Sequence, residues 1–343
     1  MFRGLRHFVP SLVVLSVALA ACGGTAAPAS TPALTVAKPA AASGNVQPPI
    51  DIKIAYASPS ASFWGLYVSK EAGYYAKYGL NATLQQIQGS LMVPALLNGE
   101  VDVIDLAAGG LVPAVLAGAD LKLMASDSNV SVYGFLATGA IQKPADLAGK
   151  TVVIAGRGQS DDYLVRRILT MNHLQADKDV ALIPSGGTPE TLAVLKAGQA
   201  VGGMMSPPTL FLGIDNGLHL LLRPSDLFPY QGSGLIMKTS KLATPQGQEI
   251  ARRIVRAHLD ALHRIKADKP FATQVLPKYV NGTTQDVADR TWDWIVPGMP
   301  QDGYPTKDGL QLVIEDLKEL YQGKAQPTVD SLVDLKYLDE PKG

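Results

Sequence analysis

Apolar and polar residues alternate through Asp51-Ile52-Lys53-Ile54-Ala55-Tyr56, a period of two that predicts a strand and starts the folded part near Ile50. Ser58-Pro59-Ser60-Ala61-Ser62 breaks the pattern. Phe63, Leu66, Tyr67 and Tyr74 then follow helical spacing, predicting a helix over residues 63–75. A second strand is expected over 81–88. Ser90 is placed to cap a helix through Leu97, and Pro94 suits it if it lies in the first turn. Asn98-Gly99 stops that helix, and a strand over 101–104 runs out at Ala107-Ala108-Gly109-Gly110.

The same order of elements recurs downstream. A strand at 151–155 leads through Gly156-Arg157-Gly158-Gln159-Ser160 into a helix from Asp161. A strand at 181–184 leads through Ser185-Gly186-Gly187 into a helix over 189–197, then Gly198 and a strand at 200–204 ending at Ser206-Pro207-Pro208. Gly89 and Gly99 thus match Gly187 and Gly198, which suggests two related α/β lobes. In such lobes the open turns gather at the carboxyl ends of parallel strands, where ligands bind, and helix N-termini there offer spare N–H groups. Residues 244–267, 286–295 and 310–321 predict tail helices. Extended segments at 132–137 and 232–237 are expected to cross between lobes. The expected division is lobe 1 from 50–136 plus 235–343 and lobe 2 from 137–234.

Ahead of these elements the pattern differs. Arg3 and Arg6 precede an almost wholly apolar run over 8–21, which reads as an export signal too short for a membrane span. Leu19-Ala20-Ala21-Cys22 resembles the bacterial lipobox and holds the only cysteine in the chain. That resemblance implies cleavage after residue 21, lipidation of Cys22 and a mature lipoprotein tethered outside the cytoplasmic membrane. The Ala-, Pro-, Ser-, Thr- and Gly-rich stretch over 23–49 has little to bury and reads as a spacer. An ordinary secretory signal with an incidental cysteine is the plainer alternative.

Charge narrows the partners. The chain has 30 Lys and Arg against 30 Asp and Glu, and losing Arg3 and Arg6 leaves 28 against 30. This near-neutral balance supplies no field for nucleic acid. A single cysteine provides neither an intrachain disulfide nor a thiolate cage. His258 and His263 stand five residues apart on one expected helix, roughly 140° apart in direction, so they form no shared metal face. There is no GxSxG elbow around Ser60, Ser90 or Ser206, no phosphate loop and no dinucleotide fingerprint. No catalytic residue, metal or cofactor is expected.

Small polar turns beside aromatic residues remain. Trp64 suits either a cleft wall or the core. Tyr133 and Tyr230 flank the expected crossings and could offer a ligand flat surface and a phenol hydrogen bond. Arg157, between two glycines before a helix, suits a carboxylate, sulfonate or phosphate, or is a solvated loop charge. Ser90, Ser160 and Ser185 offer hydroxyls. Together these describe binding without bond-making.

Several of these stretches carry a family resemblance. Tyr56-Ala57-Ser58-Pro59-Ser60 through Trp64, Lys70-Glu71-Ala72-Gly73-Tyr74-Tyr75, Ala95-Leu96-Leu97-Asn98-Gly99-Glu100-Val101-Asp102-Val103, Lys143-Pro144-Ala145-Asp146-Leu147-Ala148-Gly149-Lys150 and Tyr230-Gln231-Gly232-Ser233-Gly234 occur in the order seen in substrate-binding proteins of ABC importers. The chain resembles the nitrate/sulfonate/taurine and thiamine-precursor-binding group. The resemblance implies a two-lobed periplasmic-binding-protein type II fold with two hinge crossings. Its site would draw on Ser58, Ser60, Trp64, Gly89, Ser90, Ala108 and Gly109 from lobe 1. Arg157, Ser160, Gly187 and Ser206 would face them, with Tyr133 and Tyr230 near the hinge. It further implies a monomer that hands a small anion, or a small aromatic or pyrimidine solute, to a membrane permease driven by a separate ATPase. A ligand-sensing lipoprotein is the alternative. An enzyme of pyrimidine precursor synthesis would need a reactive Cys and His, and the one cysteine is taken by the anchor. Asp105-Leu106-Ala107-Ala108 departs from the group's small polar ending; an inward Asp105 argues against a purely anionic ligand, whereas an outward one would only cap a helix.

Overall fold

The computed structural model describes residues 48–317 and 325–340. Cys22, the expected signal over 1–21 and nearly all of the expected spacer lie outside the described residues, as does the end of the helix expected over 310–321. The first half of the described chain runs β1 (Ile50–Tyr56), α1 (Trp64–Glu71), α2 (Tyr74–Lys77), β2 (Leu80–Gln86), α3 (Gly89–Asn98), β3 (Val103–Ala107), α4 (Ala108–Leu116) and β4 (Leu121–Ser126). The second runs β5 (Gly134–Ala137), β6 (Thr151–Ile154), α5 (Ser160–Met171), β7 (Ala181–Pro184), α6 (Thr188–Lys196), β8 (Gly202–Met205), α7 (Thr209–Asp215) and β9 (His219–Leu222). The chain then returns through β10 (Ser233–Lys238), α8 (Thr239–Leu242), α9 (Pro245–Ala267), α10 (Lys269–Val275), α11 (Gln285–Ile295), α12 (Lys307–Asp316) and α13 (Val329–Leu332).

The strands form two sheets of one design, ordered β2-β1-β3-β10-β4 and β7-β6-β8-β5-β9. In each, three parallel strands come from consecutive β–α units, and the fourth, antiparallel strand arrives directly from the other sheet. The chain changes sheet between Ser126 and Gly134 and returns between Leu222 and Ser233. Because β5 belongs wholly to the second sheet, the first change falls a few residues before the boundary expected at 136. The two crossings are tied together, Gly232 N–H donating to Ser128 O and Asp127 N–H to Ser233 O.

Packing follows the hydrophobic faces. Ile52 and Ile54 of β1 bury against α1 and the long α9, whose apolar stripe includes Ile250, Ile254, Leu262 and Ile265. A second apolar layer runs between the sheets' inner helices, joining Ile104 and Leu111 to Val152, Leu164 and Ile168. The expected helix over 63–75 divides at Gly73, whose left-handed φ of 71° no β-carbon favours. Pro94 falls inside α3 rather than in its first turn.

Candidate functional site

The carboxyl ends of the parallel strands of both sheets face one cavity of about 280 Å³. Lobe 1 supplies Ser62 and Phe63 ahead of α1, Gly89 and Ser90 at the start of α3, and Asp105 to Ala107 at the end of β3. The crossings supply Ser131 to Tyr133 and Tyr230 to Ser233; lobe 2 supplies Arg157 to Ser160 and Leu164 from the β6–α5 turn and helix. A smaller space of about 30 Å³, roughly one water's share, adjoins the same residues and is lined by Ser58, Ser60, Gly187, Thr188 and Ser206.

The expected site residues therefore divide. Gly89, Ser90, Tyr133, Arg157, Ser160 and Tyr230 line the main cavity, whereas Ser58, Ser60, Gly187 and Ser206 line the small one. There Ser60 Oγ lies 2.7 Å from Ser206 Oγ, and Ala61 N–H donates to Pro207 O at 2.9 Å, so these turns join the lobes. Ser185 is turned inward, its hydroxyl 2.8 Å from Thr191 Oγ1.

Three expectations are corrected. Trp64 is no cleft wall. It is 0% exposed, with its indole N–H donating to Ala272 O at 3.1 Å, and its neighbour Phe63 meets the cavity instead. Ala108 is buried in the apolar layer, and α4 begins at it where the sequence pattern ended a strand. Gly109 acts through what it lacks: a β-carbon there would lie 2.6 Å from Ser160 Oγ and 2.8 Å from the Tyr230 hydroxyl. Its bare backbone is what lets lobe 2 approach.

Arg157 is the one cationic side chain among the described lining residues, and its charge is already matched. Both terminal nitrogens donate to Asp177 at 2.8 Å, and one also reaches Leu182 O. This fork raises the Arg157 pKa and, with Arg166, lowers Asp177 to about 2. The amides at the entry to α5 are also engaged by the chain's own acids: Ala155 N–H donates to Asp161 and Gly158 N–H to Asp162 at 2.9 Å.

The Tyr230 hydroxyl and Ser160 Oγ are buried and hydrogen-bonded to nothing among the described residues, and Asp105 is 0% exposed, beside Asp127 and Ser233. Strand alternation puts Asp105 on the same face of β3 as Val103, toward Asp127 and His258. Burial and the neighbouring Asp127 push the Asp105 carboxyl well above the usual range, and burial also raises Asp127. His258 Nε2 lies 3.7 Å from Asp127 and 3.2 Å from Ser126 O. Burial lifts Asp161 to about 7 despite the hydrogen bond from Ala155 N–H. Gln231 is structural: its amide nitrogen donates to Ser126 Oγ and Ser128 O at 2.7 Å, and its oxygen accepts from Thr306 N–H at 3.0 Å. Among the described residues no cluster of three or more His, Cys, Asp or Glu is arranged to hold a metal.

A family model described as NMT1/THI5 like matches residues 60–270. The chain belongs to this family. No curated protein matches it significantly. Solved structures share its mixed α/β, two-sheet periplasmic-binding-protein architecture. The alkanesulfonate-binding protein SsuA of Xanthomonas axonopodis pv. citri, bound to MOPS, superposes with a TM-score of 0.69 at 18% identity, covering 84% of this chain and 99% of that one. The nitrate-binding protein NrtA of Synechocystis PCC 6803 gives 0.67 at 16% identity, covering 82% and 84%. A ligand-binding component of an ABC-type import system from Staphylococcus aureus, with zinc bound, gives 0.68 at 16%, covering 85% and 98%.

Proposed function

We propose that this NMT1/THI5-like chain is the extracytoplasmic solute-binding component of an ABC importer. It captures one small solute between its lobes and presents it, chemically unchanged, to a membrane permease energised by a separate ATPase. The observation that carries this reading is the 280 Å³ cavity walled by the strand ends of both sheets and by the two crossings, lined by Phe63, Ser90, Tyr133, Arg157, Ser160 and Ser233. A concave, partly apolar space of this size with a few polar groups converging on it suits one small solute. Closure about the paired crossings would exclude water and shape the face that the permease reads.

Phe63, Tyr133 and Tyr230 give the cavity an aromatic wall, which favours a flat organic solute over a small inorganic ion. In the cell, a lipid on Cys22 would hold the protein, as a monomer, outside the cytoplasmic membrane, with residues 23–49 as its tether. The test is a thermal-shift panel of sulfonates, nitrate, aromatic carboxylates, pyrimidines and amines, followed by recovery of the stabilising compound. A solute at about 100 times its Kd adds about 2.7 kcal/mol of stability. A clear upward shift with the compound recovered intact supports the reading. No shift across the panel, or recovery of an altered compound, overturns it.

A further inference from the structure

Resting on the solute-binding reading, we propose that Gln159 is the specificity-determining side chain of the cleft and that its carboxamide selects an uncharged, flat solute carrying an N–H donor beside a carbonyl acceptor, such as an aromatic amide or a lactam. Gln159 occupies the N-cap position of α5, where short oxygen-bearing side chains usually accept from the first amides of a helix. It makes no such bond. The turn is held instead by Asp161 and Asp162, which accept from Ala155 N–H and Gly158 N–H. The Gln159 carboxamide is thus left without a role in its own helix.

That carboxamide lies across the cleft. It folds over Gly156 of its own lobe and reaches Gly89, at the head of α3, in the other. A β-carbon on Gly89 would stand 2.5 Å from Gln159 Oε1, and one on Gly156 would strike Nε2. Gln159 lines both the main cavity and the small one, so it stands where the two spaces adjoin. Its side chain is half-buried and not sealed from the cavity, and its amide makes no hydrogen bond with any described residue.

The other free groups agree in chemistry. Ser90 is exposed and Tyr133 half-buried at the same cavity, and neither hydroxyl has a partner among the described residues. With Gln159 they make three uncharged groups, each able to donate and to accept. The charged residues of the described lining are engaged elsewhere: Arg157 with Asp177, and Asp105, 0% exposed, with Asp127 and Ser233. A carboxamide pairs well with another amide edge, N–H to O and O to H–N, and Phe63 and Tyr133 offer faces to a flat ring. A carboxylate would leave the carboxamide oxygen unpaired, and an ammonium would leave its N–H groups unpaired.

The experiment titrates the full-length chain, by calorimetry at neutral pH, with four solutes of nearly one shape: benzamide, acetophenone, benzoate and benzamidine. Benzamide carries both halves of the edge, acetophenone the acceptor alone, and the other two a charge. Benzamide should bind at least about fivefold more tightly than each of the others, the scale of one neutral hydrogen bond. Gln159→Met should bring benzamide down to acetophenone. Gln159→Glu, alike in shape but with acceptors only, should turn the preference to protonated benzamidine, a reversal that lost packing would not produce. The ranking in the unaltered chain needs no variant, so a misfolded variant does not rescue the claim. Equal binding of benzamide and acetophenone, tighter binding of a charged member, or an unchanged ranking in folded Gln159→Met overturns the assignment to Gln159 and leaves solute binding standing. So does failure of all four beside a compound of the wider panel that binds. Failure of every compound in both sets overturns the binding reading itself.

Discussion

The hydroxyls of Ser60 and Ser206 meet at 2.7 Å, one from the turn after β1 and the other from the end of β8, so a side-chain hydrogen bond joins the two lobes. Both residues are buried, and Ala61 N–H to Pro207 O runs beside them. Opening the lobes about the crossings would part this contact. Ser206→Ala should therefore weaken the closed state by about 1 kcal/mol, lowering apparent affinity for the recovered solute roughly fivefold. Titration calorimetry reads the affinity, and solution scattering of the solute-bound protein should show a larger radius of gyration. Unchanged values for both would remove the latch from the account.

Gly109 marks the tightest approach of lobe 2 to α4. A methyl group there would meet Ser160 Oγ, the Tyr230 hydroxyl and the Ser160 backbone at 2.6 to 3.0 Å. Gly109→Ala should wedge the cleft open, reducing solute affinity by more than about tenfold, the scale of overpacking at a tight contact. Thermal unfolding without solute should move far less. Full affinity in this variant would show that closure does not bring these groups together.

Trp64 separates core from site. Its buried indole fills the space between α1 and α10 and donates to Ala272 O, so Trp64→Phe should lower stability by about 1–3 kcal/mol. Affinity for the solute should stay the same. Denaturant unfolding and calorimetry on the same sample separate the two effects. A loss of affinity with stability intact would return Trp64 to the cleft.

Asp161 gives stability a pH slope of defined sign. In the folded protein burial raises its pKa to about 7, whereas the unfolded chain has an ordinary carboxyl near 4. Between those values the folded state keeps a proton that the unfolded state releases, so stability falls as pH climbs from about 4 to about 7 and then levels. Asp161→Asn should flatten that part of the profile in melts over the same range. An undiminished slope in the variant would assign it to other buried acids such as Asp105 and Asp127.

Much of this architecture could be read from the chain, and the misses have physical causes. The paired β–α–β–α–β units show because their strands carry two-residue alternation and their helices begin after small polar turns. Helix α4 was hidden because Ala108-Gly109-Gly110 reads as a strand end. Gly109 leaves room for the close approach of lobe 2, which no local pattern reports. The edge strands β4 and β9 were missed as well, one an apolar run and the other only four residues long. Of the residues expected at the site, Gly89, Ser90, Tyr133, Ser160 and Tyr230 line the main cavity, each a small or aromatic residue at a strand end or crossing. Trp64 was not, because a residue at the head of a helix can face either way. The fate of Arg157 depended on Asp177, twenty positions on, which tertiary folding alone brings within reach.

The most direct measurement is a crystal structure of the protein with the solute recovered from the thermal-shift panel. The account predicts density for one intact small molecule between the sheets, in contact with Phe63, Ser90 and Tyr133 and with the Arg157–Ser160 turn. Density elsewhere, or an empty cavity at saturating solute, would contradict it.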